Sequence, residues 1–183
     1  MNLTDESISL FKECLDKYMV IYGEKNIKTL TAMHNLATSY QHASRYQDSL
    51  VLFKKCLELK RELLGDIHQD TLHTLSNLAT TYDCLKMWDK SESLYKQCLN
   101  ARRLELGENH VDTLHSFSLY AMSCYNNANY SHAETLYVQL LSKCKIVFGD
   151  SNFHTIGVAE RLADVRSKLQ GSKSPGKSPG KNV

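Results

Sequence analysis

Apolar and polar positions follow each other along this chain with a helical rhythm. Between Thr71 and Cys84 the apolar residues are Leu72, Leu75, Leu78, Ala79 and Tyr82. Steps of three and four residues place them on one face of an α-helix. A second stripe runs through Leu94, Tyr95, Cys98 and Leu99 to Leu106. A short polar turn from Lys86 to Lys90 separates the two stripes and holds one aromatic, Trp88. Gly107 follows the second stripe, where a glycine can take the left-handed conformation that ends a helix. Asp70 and Asp112 stand at the start of the next first helices. A side-chain oxygen there can accept from free backbone N–H groups, so both are expected caps.

The helix pair recurs at a constant step. Gly23, Gly65, Gly107 and Gly149 are each 42 residues apart. The same step joins Thr29, Thr71, Thr113 and Thr155, and again Ala37, Ala79, Ala121 and Ala163. It joins Phe11, Phe53, Tyr95 and Tyr137 as well, and no insertion breaks the register. A fixed period of this length is the signature of a stacked repeat architecture. The expected organisation is an array over residues 1–170. It begins with a lone second-type helix at 5–22. Units follow at 28–64, 70–106 and 112–148, and a capping helix at 154–169 carries Arg161, Arg166 and Lys168 outward. Residues 171–183 are low in complexity and basic, and are expected to be disordered. The fold class this implies is all-α, a right-handed α-α superhelical solenoid with an inner groove.

Composition narrows the function. Both prolines lie beyond residue 170, which suits uninterrupted helices in the array. The formal net charge is +2, and the three lysines of the tail leave −1 on residues 1–170. A near-neutral body has no electrostatic footprint for nucleic acid or for an anionic membrane. No apolar run approaches the ~20 residues of a membrane span. The first residues hold no apolar signal core, so a cytoplasmic protein is expected. Cys14, Cys56 and Cys98 share one repeat column and read as buried core thiols. Cys84 and Cys144 lie off that column and are candidates for exposure. Without a C-x-x-C pair neither zinc nor another metal is expected, and disulfides are not expected in this setting. His68 and His110 share a column in the loop after the glycine and read as structural. No nucleophile constellation or phosphate loop stands out, so the reading is of a non-enzyme with no cofactor and no small-molecule substrate.

The first helix carries a large residue, then Leu, a small residue and Tyr, at Leu75, Leu78, Ala79 and Tyr82, and one unit earlier at Met33, Leu36, Ala37 and Tyr40. The second carries small, aromatic, small at Ser49, Phe53 and Cys56, at Ser91, Tyr95 and Cys98, and at Ala133, Tyr137 and Leu140. These signatures resemble the tetratricopeptide repeat. The 42-residue period with HQDTLHTLSNLATTY is similar to the kinesin light chain type of that repeat, over about residues 5–168. The coiled coil that precedes such repeats in kinesin light chains has no room in this sequence, and the opening inside a repeat suggests a fragment, the alternative being that the lone helix is an N-terminal cap.

The resemblance implies that first helices line a peptide-binding groove. The candidates are His34, Asn35, Thr38 and Gln41, with Thr31 beside them, in the first unit. They are His73, Ser76, Asn77, Thr80 and Asp83 in the second, and His115, Ser118, Met122, Tyr125 and Asn126 in the third. Asn35 and Asn77 sit at the groove edge, facing either a peptide or a neighbouring helix. Small hydroxyls, amides and imidazoles hydrogen-bond a peptide backbone at modest desolvation cost. The near absence of Lys and Arg departs from kinesin light chain grooves and argues against acidic cargo motifs and carboxylate clamps. The expected function is a scaffold or adaptor that holds an extended peptide of a partner protein. The alternative is a structural segment of a larger repeat protein with no site of its own. Ser174 and Ser178, each before a proline, read chiefly as part of a solubilising tail and secondarily as phosphorylation sites.

Overall fold

The computed structural model describes residues 3–171; the basic tail, with Ser174 and Ser178, lies outside the described residues. Eight α-helices account for nearly all of them, and there is no strand among the described residues. In chain order they are α1 Leu3–Tyr22, α2 Ile27–His42, α3 Tyr46–Leu64, α4 Gln69–Cys84, α5 Trp88–Leu106, α6 Val111–Asn126, α7 Tyr130–Phe148 and α8 Phe153–Gly171. The even-numbered helices are first helices of a unit and the odd-numbered ones second helices.

The chain divides into two compact units, Met1–Ser116 and Phe117–Val183. In the first, consecutive helices from α1 to α5 pack pairwise, and the first helices α2 and α4 also touch. In the second, α7 packs on α8. The core of the first unit joins Ala37, Leu50, Phe53, Leu72, Leu75, Leu78 and Cys98. The repeated small residue explains how two helices approach so closely: Ala37 and Ala79 are fully buried and leave room for the aromatics Phe53 and Tyr95 of the second helices. Cys56 and Cys98 fill the adjoining space, with thiols 3.3 Å from Leu30 O and 3.6 Å from Leu72 O. Cys14, expected to be buried with them, is exposed, and Cys144, a candidate for exposure, is buried.

Two turn chemistries repeat. Within a unit, the first helix ends in a left-handed residue, Ser44, Lys86 or Ala128, with φ of 58, 57 and 57°. Met87 N then donates to Tyr82 O at 2.9 Å, a bond that closes the helix C-terminus. Between units, Gly65 and Gly107 stand at φ 90°, a conformation that side-chain-bearing residues rarely adopt. The next helix is capped two positions earlier than the sequence suggests. His68 Nδ1 accepts from Asp70 N at 3.1 Å, and His110 Nδ1 from Asp112 N at 3.2 Å. Asp70 is therefore not the cap. It is the second residue of α4, where its carboxylate faces the positive end of the helix dipole.

Candidate functional site

The contact between α2 and α4 leaves a recess of about 280 Å³ on the face of the first helices. Thr31, His34, Asn35 and Thr38 of α2 and Asp70, His73 and Asn77 of α4 line it, and Lys60 of α3 reaches it from below. Thr31 and His73 are exposed, and Asn35, Thr38, Gln41, Asn77 and Thr80 are half-buried. His34, Ser76 and Asp83 are buried. For His34 the physical reason is the contact between α2 and α4, which lets its ring meet partners on the neighbouring first helix.

His34 shows this most clearly. Its side chain is 7% exposed. Its Nδ1 lies 3.1 Å from Thr74 Oγ1, and Asn77 Nδ2 lies 3.2 Å from its Nε2. The ring meets Phe53 edge-on at 5.3 Å and lies tilted against His73 at 4.9 Å. Burial, and then the positive charges of Lys60 and His73, push its pKa down to about 3. The imidazole is neutral near pH 7. Desolvation and the Lys60 charge lower His73 as well.

Gln41 also spans the two helices: its Nε2 donates to Thr81 Oγ1 at 3.1 Å and Asn77 O at 3.3 Å. Thr80 gives its proton to Ser76 O at 3.1 Å, so Tyr95 OH, 2.8 Å away, is the donor in their bond. Burial pushes the Tyr95 phenol pKa up, consistent with that donor role. His115 is exposed at the start of α6. The remaining candidates lie in the second unit. Ser118, Met122 and Tyr125 are half-buried and Asn126 is exposed. The Tyr125 hydroxyl bonds Asp164 of α8, which raises its pKa, and its ring meets Tyr130 edge-on at 5.4 Å.

Lys60 is not among the residues expected from the sequence, because it lies on a second helix and the groove was expected to be lined by first helices. Lys60 is 4% exposed, and its ammonium donates to Thr74 Oγ1 at 3.0 Å and to Asp70 O at 3.3 Å. Arg102, one repeat on, is buried in the same way. Its Nη1 donates to Ser116 Oγ at 2.7 Å and to Asp112 O at 3.2 Å. A basic residue recurring at the 42-residue step, paired with a hydroxyl fourteen residues later, was the available signal. A larger recess of about 680 Å³ lies between α3 and α5 over Leu57, Leu78 and Tyr82, and contains none of the candidates.

Among the described residues no group of three or more His, Cys, Asp or Glu is placed to hold a metal ion. No helix among them is long and apolar enough to cross a membrane.

Comparison with known proteins places this geometry. No curated protein sequence matches the chain. Among solved structures, the chain is similar to nearly identical TPR-like repeats attributed to a kinesin light chain of Podosopora anserina. The TM-score is 0.83 at 18% identity, covering 93% of this chain and 80% of that one. A single-substitution form of the same repeats gives TM-score 0.83 at 17% identity with the same coverage. BtubC (BKLC) from P. vanneervenii gives TM-score 0.68 at 14% identity, covering 98% of this chain and 79% of that one. At these identities the likeness speaks for the fold, that of helix-pair solenoids. The family model for the tetratricopeptide repeat matches residues 1–62, 28–103 and 70–145. With its period, its signatures and its helix pairs all in that register, the chain belongs to the tetratricopeptide repeat family.

Proposed function

We propose that the face formed by α2 and α4 holds an extended segment of a partner protein, which makes this chain a scaffold or adaptor. Tetratricopeptide repeats are in general protein-interaction scaffolds, a non-catalytic fold type. The observation that carries the reading is the recess between successive first helices, lined mainly by hydroxyls, amides and imidazoles and by no exposed Lys or Glu. An idle helix face gains solubility from charge. A face that must shed water to bind a peptide backbone does better with neutral polar groups, whose desolvation costs less.

A displayed library of random nine-residue peptides, selected against the full chain, tests this. Enriched peptides are expected to lose binding in the double variant Thr31→Arg, Asn35→Arg and to keep it in Gln97→Ala, on an exposed face of α5. Circular dichroism should show the same helicity for all three proteins. Binding that survives the double variant unchanged would reject the assignment.

A further inference from the structure

The hydrogen bonds under the α2–α4 recess leave only one consistent placement of protons. Thr74 Oγ1 lies 2.9 Å from Asp70 O, and a carbonyl can only accept, so the single hydroxyl proton of Thr74 points there. The Lys60 ammonium donates to the same Oγ1 at 3.0 Å. His34 Nδ1, at 3.1 Å from that oxygen, must then be the protonated ring nitrogen. Its Nε2 is left with a lone pair, and Asn77 Nδ2 at 3.2 Å donates to it. With its amino group held inward, Asn77 presents its amide oxygen and one N–H to the recess. The low pKa of His34 agrees with this neutral tautomer.

The two threonines of the recess are committed the same way. Thr31 Oγ1 donates to Ile27 O at 2.8 Å and Thr38 Oγ1 to His34 O at 3.0 Å. Each hydroxyl proton is spent on its own helix, so their lone pairs are what remain for a ligand. The lining thus offers several acceptors and, from Asn35 and Asn77, amide donors. Its two formal charges, Lys60 and the Asp70 carboxylate, cancel. A carboxylate ligand would meet acceptors and Asp70. An ammonium or guanidinium would meet Lys60 below it. A neutral group with two N–H donors and one acceptor satisfies both faces of the lining.

From this we infer that the recess is a subsite for the side-chain carboxamide of an Asn or Gln in the bound peptide, oriented by Asn77, with Lys60, Thr74 and His34 as positioning residues. The inference rests on the peptide-holding reading above and names one side chain of that peptide. The next repeat lacks the device: Leu119 stands at the Asn77 column and Ser76 at the His34 column. The selectivity belongs to this junction alone.

The same nine-residue library against the full chain decides it. The expected result is a shared Asn or Gln at one position of the enriched peptides. Replacing that residue by Glu, Lys or Met should weaken binding about tenfold, the cost of leaving one such polar group unpaired. Asn77→Leu, which installs the residue of the next repeat, should erase the preference and leave the rest of the peptide bound. ¹⁵N NMR of the free protein should show His34 as the Nδ1–H tautomer. Enriched peptides that share an acid or a base at the Asn77-dependent position would overturn the inference and leave the groove reading standing. So would sensitivity to N-methylation of the peptide backbone there without side-chain preference, or an Nε2–H tautomer at His34. Enrichment of no sequence at all would overturn both readings.

Discussion

Lys60 Nζ donates to Thr74 Oγ1 at 3.0 Å beneath the face of the first helices, and this bond ties a second helix to the first helix of the following unit. Both of the ammonium bonds end on neutral oxygens. The same link recurs between Arg102 and Ser116 at 2.7 Å. A buried cation satisfied by neutral oxygens makes the hydroxyl partner structurally expensive to remove.

Thr74→Val removes the oxygen that serves Lys60 and His34 together. It leaves two buried donors without their acceptor, so a loss of about 2 kcal/mol is expected in urea denaturation. In a Lys60→Met background the same substitution should cost about half as much, because one of the orphaned donors is gone. Equal costs in the two backgrounds would show that the residues are not coupled.

Lys86→Gly should stabilise the protein. Lys86 sits at φ 57° at the end of α4, a left-handed conformation that glycine adopts without the Cβ penalty. The gain expected is about 1 kcal/mol, visible as a rise of a few degrees in Tm. The matching change at an exposed helical site, Lys96→Gly, should destabilise by about the same amount.

Stability should fall as the solution is acidified below the ordinary imidazole value. His34 has a folded pKa of about 3 against 6.5 for a free imidazole. Between those values the unfolded chain binds a proton that the folded chain refuses. The contribution of His34 is therefore complete above about pH 6.5 and is lost progressively towards pH 3. His73 is shifted in the same direction. One such group adds at most about 1.4 kcal/mol per pH unit. His34→Gln, a neutral hydrogen-bonding side chain, should flatten the difference in unfolding free energy between pH 7 and pH 4.5. An unchanged difference would assign the pH dependence elsewhere.

The thiols should divide into two classes. Cys14 and Cys84 are exposed, and Cys56, Cys98, Cys124 and Cys144 are buried. Burial pushes the thiol pKa up at Cys56, Cys98 and Cys144, which lowers the thiolate fraction further. A chromogenic disulfide reagent should titrate two thiols in the native protein and all six only after unfolding.

Much of the architecture was legible along the chain. Leu75, Leu78, Ala79 and Tyr82 announce a helix face, and their return at a fixed step announces stacking. The cap assignment slipped by two positions. Asp70 has the chemistry of a cap, but His68 stands where the chain leaves the loop and takes that role through Nδ1. Imidazole is an uncommon cap, so residue preference pointed to the acid two residues on. Of the candidate groove residues, Thr31 and His73 are exposed, whereas Ser76 and Asp83 are buried. Counting positions along one helix places a side chain on a face but says nothing of what the adjoining helix brings against it.

By itself the sequence determined the helix pair, its period and the family, because these depend on interactions between residues three or four apart and on their repetition. The tertiary structure alone decided which polar side chains face outward and which are spent within. His34, Thr74, Asn77 and Lys60 come from three helices and span 43 residues between the ends of the Asn77–His34 bond. Their proton arrangement follows from distances of about 3 Å, and such distances exist only once the helices have packed.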